Sequence, residues 1–240
     1  MTKLMDSQIA DTGAANLAVL GQAKVAMKHI RKASAQMPRI AVLSGPPGYG
    51  KSQAAAHMCH PLTENAAYIG LLTFDTTRSI AERLLKELDI RFKANWTTAQ
   101  KFEAICQYLM ETNRPLVVDE FDHVAEKTIV DFFRAIHDQA ATPIFIIGEQ
   151  DLQHKLQRHH ERFHDRVLTW VKATPCDDQD TRLLTRHYAP NLKWSDAAIA
   201  ALQRKGAGVA RRITTDIERV KEFCKQRSIV DVLPEHVGGR

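Results

Sequence analysis

Up to about residue 172 the apolar positions of the chain follow two alternating rhythms. Short unbroken apolar runs at Arg39–Leu43, Ala67–Leu72, Leu116–Asp119, Pro143–Ile147 and Val167–Val171 each predict a strand buried on both faces. Between them, apolar residues recur three and four positions apart. This spacing predicts amphipathic helices over residues 15–35, Ser52–Met58, Ser79–Leu88 and Thr98–Glu111, and near Lys127–Gln139 and Leu152–Gln157. Strands alternating with helices predict an α/β fold, a parallel sheet flanked by helices. After "ATPCDDQD" the pattern becomes purely helical, over Asp178–His187, Ser195–Lys205 and Ala210–Gln226, with Asp177 or Asp178 and Ser195 as N-caps. The expected organisation is an N-terminal helical segment (1–38), an α/β core (39–174) and a small helical lid (175–240).

One loop in this pattern carries chemistry. Gly45, Gly50, Lys51 and Ser52 in "GPPGYGKSQ" fit G-x-x-x-x-G-K-[ST], with an apolar run before the match and a helix-prone "QAAA" after it. Gly45, Gly48 and Gly50 let the backbone wrap around phosphate, and the helix that follows presents unpaired N–H groups to the anion. The whole stretch Gly45, Pro46, Pro47, Gly48, Tyr49, Gly50, Lys51, Ser52 and Gln53 is therefore the expected cradle for ATP. Lys51 is expected on the β- and γ-phosphates and Ser52 on Mg²⁺. A second acidic site is expected where the strand Leu116–Val118 runs into Asp119 and Glu120. Asp119 would hold Mg²⁺ and Glu120 would polarise the attacking water, since phosphoryl transfer depends on positioning and charge stabilisation. Asp122 is the lesser acidic candidate.

Composition narrows the class further. A chain of 240 residues, 44% of them hydrophobic, is long enough for one sizeable core or a core with a small lid. No apolar run approaches the roughly 20 residues of a membrane span, and no signal peptide is evident, so a cytoplasmic protein is expected, in a bacterium or a phage-infected host. Cys59, Cys106, Cys176 and Cys224 lie far apart and read as reduced thiols. Charge is uneven: residues 1–150 hold 16 basic and 16 acidic side chains, residues 151–240 hold 17 and 12. The basic excess suits either an acidic polymer or an ordinary solvated surface.

With "GPPGYGKS" and "LVVDE" in place, the chain resembles the AAA+ ATPases from about residue 20 to residue 237. That resemblance implies further site residues. A polar γ-phosphate sensor should end the strand in "PIFIIGEQ", which supplies Glu149 and Gln150 where Asn or Thr is common. "ERFHDRV" is similar to the arginine-finger region, with Arg162 or Arg166 reaching a neighbouring subunit's nucleotide and so implying a homo-oligomer. "GVARRI" is similar to the second sensor, in which Arg211 would couple lid angle to nucleotide state.

Within that family, "LVVDEFDHV", "IIGEQDL", "RFHDRV" and "GVARRITTDIERV" most resemble the transposition helpers: the B protein of phage Mu and the related TnsC and TniB proteins. This implies an ATPase that binds double-stranded DNA without sequence preference, forms filaments on it and delivers it to a DDE-type transposase, with hydrolysis driving disassembly. DNA contacts are then expected from Thr77 and Arg78 in "DTTRS" and from Lys101, with Arg91 and Lys93 on the same side. Two other classes stay open: an AAA+ ATPase of another pathway (a replication initiator, a loader, or a secretion ATPase resembling ExeA) and a protein-binding nucleotide switch. The pair His160 and His164 has a metal-ligand spacing without a third ligand.

Overall fold

β1 (Ile40–Ser44) is buried at all five positions, as an unbroken apolar run requires when both sheet faces are covered. It pairs in parallel with β4 (Ile144–Gly148) on one side and β5 (Val167–Lys172) on the other. β3 (Leu116–Asp119) joins β4 to β2 (Ala67–Gly70), so the parallel order is β2-β3-β4-β1-β5. Register pairs Ser44 with Gly148 and Gly70 with Asp119, which aligns the carboxyl ends of the strands along one edge. Open parallel sheets bind ligands outside that edge.

This computed structural model describes residues 16–125 and 128–238, so Met1–Ala15 of the expected N-terminal segment lie outside the described residues. Those described fall into two units. One comprises residues 22–45 and 55–172, with the five-stranded sheet. The other comprises residues 16–21, 46–54 and 173–238. α1 (Leu17–Lys32) and α2 (Lys51–Cys59) have residues in both.

In the sheet unit, helices α3 (Thr77–Glu87), α4 (Thr98–Thr112), α5 (Val130–Ala140), α6 (Leu152–His159) and α7 (Glu161–His164) accompany the strands. Capping chemistry fixes where α3 and α4 begin. Thr76 and Thr97 each accept from the backbone N–H three residues on, and Ser79 and Gln100 reciprocate. α3 therefore starts at Thr77, two residues before the expected Ser79, and Thr77 and Arg78 lie in its first turn. An aromatic cluster fills the core: Phe121 lies 5.5 Å from Phe133 and 5.7 Å from Phe163, centroid to centroid, and all three are buried. Phe121 opens a single 3₁₀ turn, Phe121–His123, directly after β3. Burying such a ring is worth several kcal/mol, so it pins the chain just past Asp119 and Glu120 (about 3–5 kcal/mol lost on truncation to Ala).

In the second unit α8 (Asp178–Tyr188), α9 (Asp196–Gly206), α10 (Ala210–Gln226) and α11 (Pro234–Gly238) bury Leu184, Leu202, Ile213, Ile217 and Val220 in a core of their own. Asp177 and Ser195 are the N-caps of α8 and α9. The expectation of purely helical structure here is corrected. Two-residue strands β6 (Lys193–Trp194) and β7 (Asp231–Val232) pair in parallel, too short for any periodicity to register. No helix among the described residues is long and apolar enough to cross a membrane.

Candidate functional site

The glycine-rich loop leaves β1 and enters α2 at Lys51. Gly48 and Gly50 take φ of +83° and +92°, a region that only glycine enters freely. Space demands glycine as well. A Cβ on Gly48 would sit 2.9 Å from Val209 Cγ1 and 3.2 Å from Arg211 Cβ, and one on Gly50 would sit 3.1 Å from Asn16 Cβ. The amides of a helix's first turn have no carbonyl partner within their own helix, so this end of α2 suits an anion. Lys51 donates from Nζ to the Pro46 carbonyl at 2.9 Å, folding the ammonium back over the loop. Ser52 is exposed, and Tyr49, Lys51 and Gln53 are half-buried.

Two buried residues, Asn16 beside the loop and Asp180 at the start of α1, carry no motif. Asn16, 1% exposed, donates to the Thr174 carbonyl at 2.8 Å and accepts from the Val19 N–H at 3.0 Å, which fixes it beside Gly50. Asp180, also buried, accepts from the Leu17 N–H at 2.7 Å. Burial raises the Asp180 carboxyl above the usual range, against the two N–H bonds from Leu17 and Asp177. On the other flank Arg211 donates its backbone N–H to the Gly48 carbonyl at 3.1 Å. The first turn of α10 is thus tied to the loop by its main chain, and the Arg211 side chain is exposed.

At the end of β3 Asp119 is 5% exposed. Its Oδ1 accepts from the Glu120 N–H at 2.8 Å and its Oδ2 from the Tyr68 hydroxyl at 3.2 Å. Burial, then the charge of Asp119, pushes the Tyr68 hydroxyl well above its ordinary pKa, so Tyr68 stays a donor. The next residue, Glu120, is exposed and held at φ 56°, ψ 39°, without side-chain capping, one of seven non-glycine residues at positive φ among the described residues. A non-glycine residue there costs on the order of 1–2 kcal/mol, and such strain gathers at functional positions. The Ser52 hydroxyl and the Asp119 carboxylate are hard oxygen donors, the kind Mg²⁺ takes, so the residues present fit that ion.

At the end of β4 Glu149 and Gln150 are both exposed, and the Glu149 N–H is held by Asp122 Oδ2 at 2.5 Å. Of the two arginines in "ERFHDRV", Arg166 is committed locally. It meets Asp138 Oδ1 at 2.7 Å and donates to the Arg162 carbonyl at 2.6 Å. Arg162 is exposed and makes no ion pair among the described residues. His160 and His164 belong to no group of three or more metal-ligating side chains among the described residues: His164 packs against Trp170 in a tilted arrangement with ring centroids 5.0 Å apart, and burial lowers the pKa of His160.

For the DNA candidates the structure divides the set. Arg78 is 59% exposed, with its guanidinium on Glu82 at 3.1 Å, one turn along α3. Just ahead of it Leu72 and Phe74 stand exposed on a loop that Asp75 braces, by accepting from the Leu72 N–H at 2.8 Å and pairing with Arg83 at 2.7 Å. Lys101 is a correction. Its side chain is fully buried, Nζ lies 2.7 Å from Glu82 Oε1 and 5.8 Å from the Phe92 centroid, and it has no surface to offer a phosphate. Lys101→Ala removes three buried methylenes at about 0.8 kcal/mol each, so a loss of about 2 kcal/mol in urea unfolding is expected, with DNA affinity unchanged.

The profile of the AAA domain family matches residues 35–156. No curated protein matches the chain. Among solved structures, the ORC2 protein of Aeropyrum pernix in ADPNP–ADP complexes is similar at TM-score 0.70 and 12% identity, over 92% of this chain and 65% of that one. The ORC1 protein of Aeropyrum pernix in complex with DNA is similar at TM-score 0.66 and 16% identity, over 92% and 63%. The RuvB Holliday junction branch migration motor of Thermotoga maritima follows at TM-score 0.62 and 15% identity, over 92% and 66%. At these identities the likeness is one of fold. The chain spans just under two thirds of the length of those proteins.

Proposed function

The chain belongs to the AAA domain family, and on that premise we propose that it is an ATPase that uses ATP to assemble on duplex DNA. The observation that carries the nucleotide part is the loop itself. Gly48 and Gly50 adopt φ of +83° and +92°, where residues with a side chain are rare, with Lys51 and Ser52 in the first turn of α2. In this reading Lys51 exchanges the Pro46 carbonyl for the β- and γ-phosphates. Ser52 and Asp119 would hold Mg²⁺, which would supply neutralisation of charge on the transferring phosphoryl group. Glu120 would align the water and take up its proton, and Glu149 or Gln150 would act as the γ-phosphate sensor that the resemblance implies. Arg162, exposed and making no ion pair among the described residues, is the better finger toward a second copy's nucleotide; such a finger is worth roughly 10³-fold or more in rate. Arg211 is the second sensor.

For DNA, support comes from the turn Thr76–Arg78, in which Thr76 and Arg78 are exposed and Thr77 half-buried, and from the ORC1 protein, which is in complex with DNA. Contacts of this kind position a duplex without reading its bases. The finer role, delivery of the DNA to a DDE-type transposase by a homo-oligomeric filament, rests on the resemblance of "LVVDEFDHV" and "GVARRITTDIERV" to the transposition helpers. A second reading, an ATPase of another DNA pathway, is favoured by the likeness to ORC and RuvB proteins. The test is fluorescence anisotropy on a random-sequence duplex with ATP, ADP or no nucleotide, at two salt concentrations, with negative-stain imaging. Salt-sensitive binding and filaments in ATP alone are expected. Absence of binding in every state refutes DNA as the partner, and discrete rings in place of filaments favour the second reading.

A further inference from the structure

Asp122 stands three residues after Asp119, in the 3₁₀ turn that follows the strained Glu120. Phe121 is fully buried, so this turn is fixed from beneath. It is also strapped to both neighbouring strands. His123 Nδ1 meets the Leu71 carbonyl, just past β2, at 2.9 Å. Asp122 Oδ2 accepts from the Glu149 N–H, just past β4, at 2.5 Å.

Gly148 makes room for the second strap. A Cβ on it would fall 2.5 Å from Asp122 Oδ2 and 2.5 Å from Leu152 Cδ2, so the carboxylate lies against the backbone of the strand end. The other oxygen, Oδ1, is buried without a hydrogen-bond partner among the described residues. A solvated acid on a turn would not be placed this way, because an unpartnered buried oxygen is costly and persists only where something else holds it. What holds it is the bond to Glu149. Burial raises the Asp122 carboxyl above its ordinary range, with the Glu149 N–H working against that shift.

We infer that Asp122 is a positioning residue for hydrolysis: its bond to the Glu149 N–H fixes the exit of β4, with Glu149 and Gln150, against the exit of β3, with Glu120. The inference rests on the reading of the chain as an ATPase. Glu120 and the pair Glu149–Gln150 sit on separate strands, and Asp122 is the side chain that ties their backbones together. Loss of the tie leaves nucleotide binding by the glycine-rich loop intact but lets the water-aligning group drift. A misplacement of about 1 Å is enough to cost on the order of 10²-fold in rate.

The experiment is steady-state ATP hydrolysis by the full chain, beside equilibrium binding of a fluorescent ATP analogue, for Asp122→Ala and Asp122→Asn. The Asn amide oxygen can still accept from Glu149. In Asp122→Ala kcat is expected to fall by about 10-fold or more with Kd within about threefold, and in Asp122→Asn most of the rate is expected to return. Amide exchange at Glu149 should rise in Asp122→Ala alone. A kcat for Asp122→Ala within about twofold of the parent, or an Asn variant as slow as the Ala variant, overturns the inference. If Asp122→Ala does not fold, Gly148→Ala presses a methyl on the same carboxylate and should lower kcat at unchanged Kd; an unchanged kcat overturns the inference. If the parent chain hydrolyses no ATP, the ATPase reading itself falls, a different result from an active parent with an indifferent Asp122.

Discussion

Lys51→Ala should lose most nucleotide binding and all nucleotide-dependent assembly while keeping its fold. The ammonium contributes a charge-assisted interaction with the phosphates, and hydrogen bonds to charged groups are worth about 1.5–3 kcal/mol, or roughly 10- to 150-fold in Kd. The truncation spares the cradle, because Gly48 and Gly50 keep their positive-φ backbone and the Gly48 carbonyl keeps its bond from the Arg211 N–H. Lys51 is half-buried and bonds the Pro46 carbonyl at 2.9 Å, so its loss frees a loop carbonyl that water can reach. Titration with a fluorescent ATP analogue, beside a thermal melt of the same sample, separates the two effects. Analogue binding within about threefold of the parent would mean that Lys51 does not meet the phosphates, and the ATP reading of the loop would go with it.

The parts of this site that could be read from the sequence are those made of neighbours along the chain. Gly45 to Gln53 is one continuous stretch, and β1, β3 and β4 are apolar runs whose burial follows from their composition. What escaped the sequence depends on contacts between distant residues. Lys101 looks like any solvated lysine on a helix until Glu82, nineteen positions back on another helix, is seen beneath it. Asn16 and Asp180 belong to no motif, and their meaning comes from Thr174 and Leu17, 158 and 163 residues away. Tyr68 reads as one more strand aromatic, and only the pairing of β2 with β3 brings its hydroxyl to Asp119. Arg162 and Arg166 are indistinguishable as letters in "ERFHDRV". Asp138 separates them by pairing with one. Asp122 was legible as an acid, but its tie to Glu149 was not, because that bond depends on a missing Cβ at Gly148.

Glu120→Gln is expected to cut hydrolysis by about 10²- to 10³-fold, within the range that a positioned general base supplies, and to leave ATP affinity within about threefold. The substitution keeps size and one acceptor oxygen but replaces the other with an amide N–H donor, so the proton acceptor is lost. It also keeps the left-handed backbone at φ 56°, so stability should not change. Glu120→Gly is the informative companion. Glycine adopts this conformation without penalty, so relief of about 1 kcal/mol of strain should raise the melting temperature as hydrolysis disappears. A site whose inactivation stabilises the fold is one where strain is retained for function, and that pairing of results is not expected of a solvated acid at the end of a strand. If the assembly reading is right, the Gln variant should also persist on DNA in ATP long after the parent has dissociated, since its nucleotide is not consumed. Hydrolysis within about threefold of the parent in Glu120→Gln would remove Glu120 from the mechanism, and the strained turn would then have to be explained by packing of Phe121 alone.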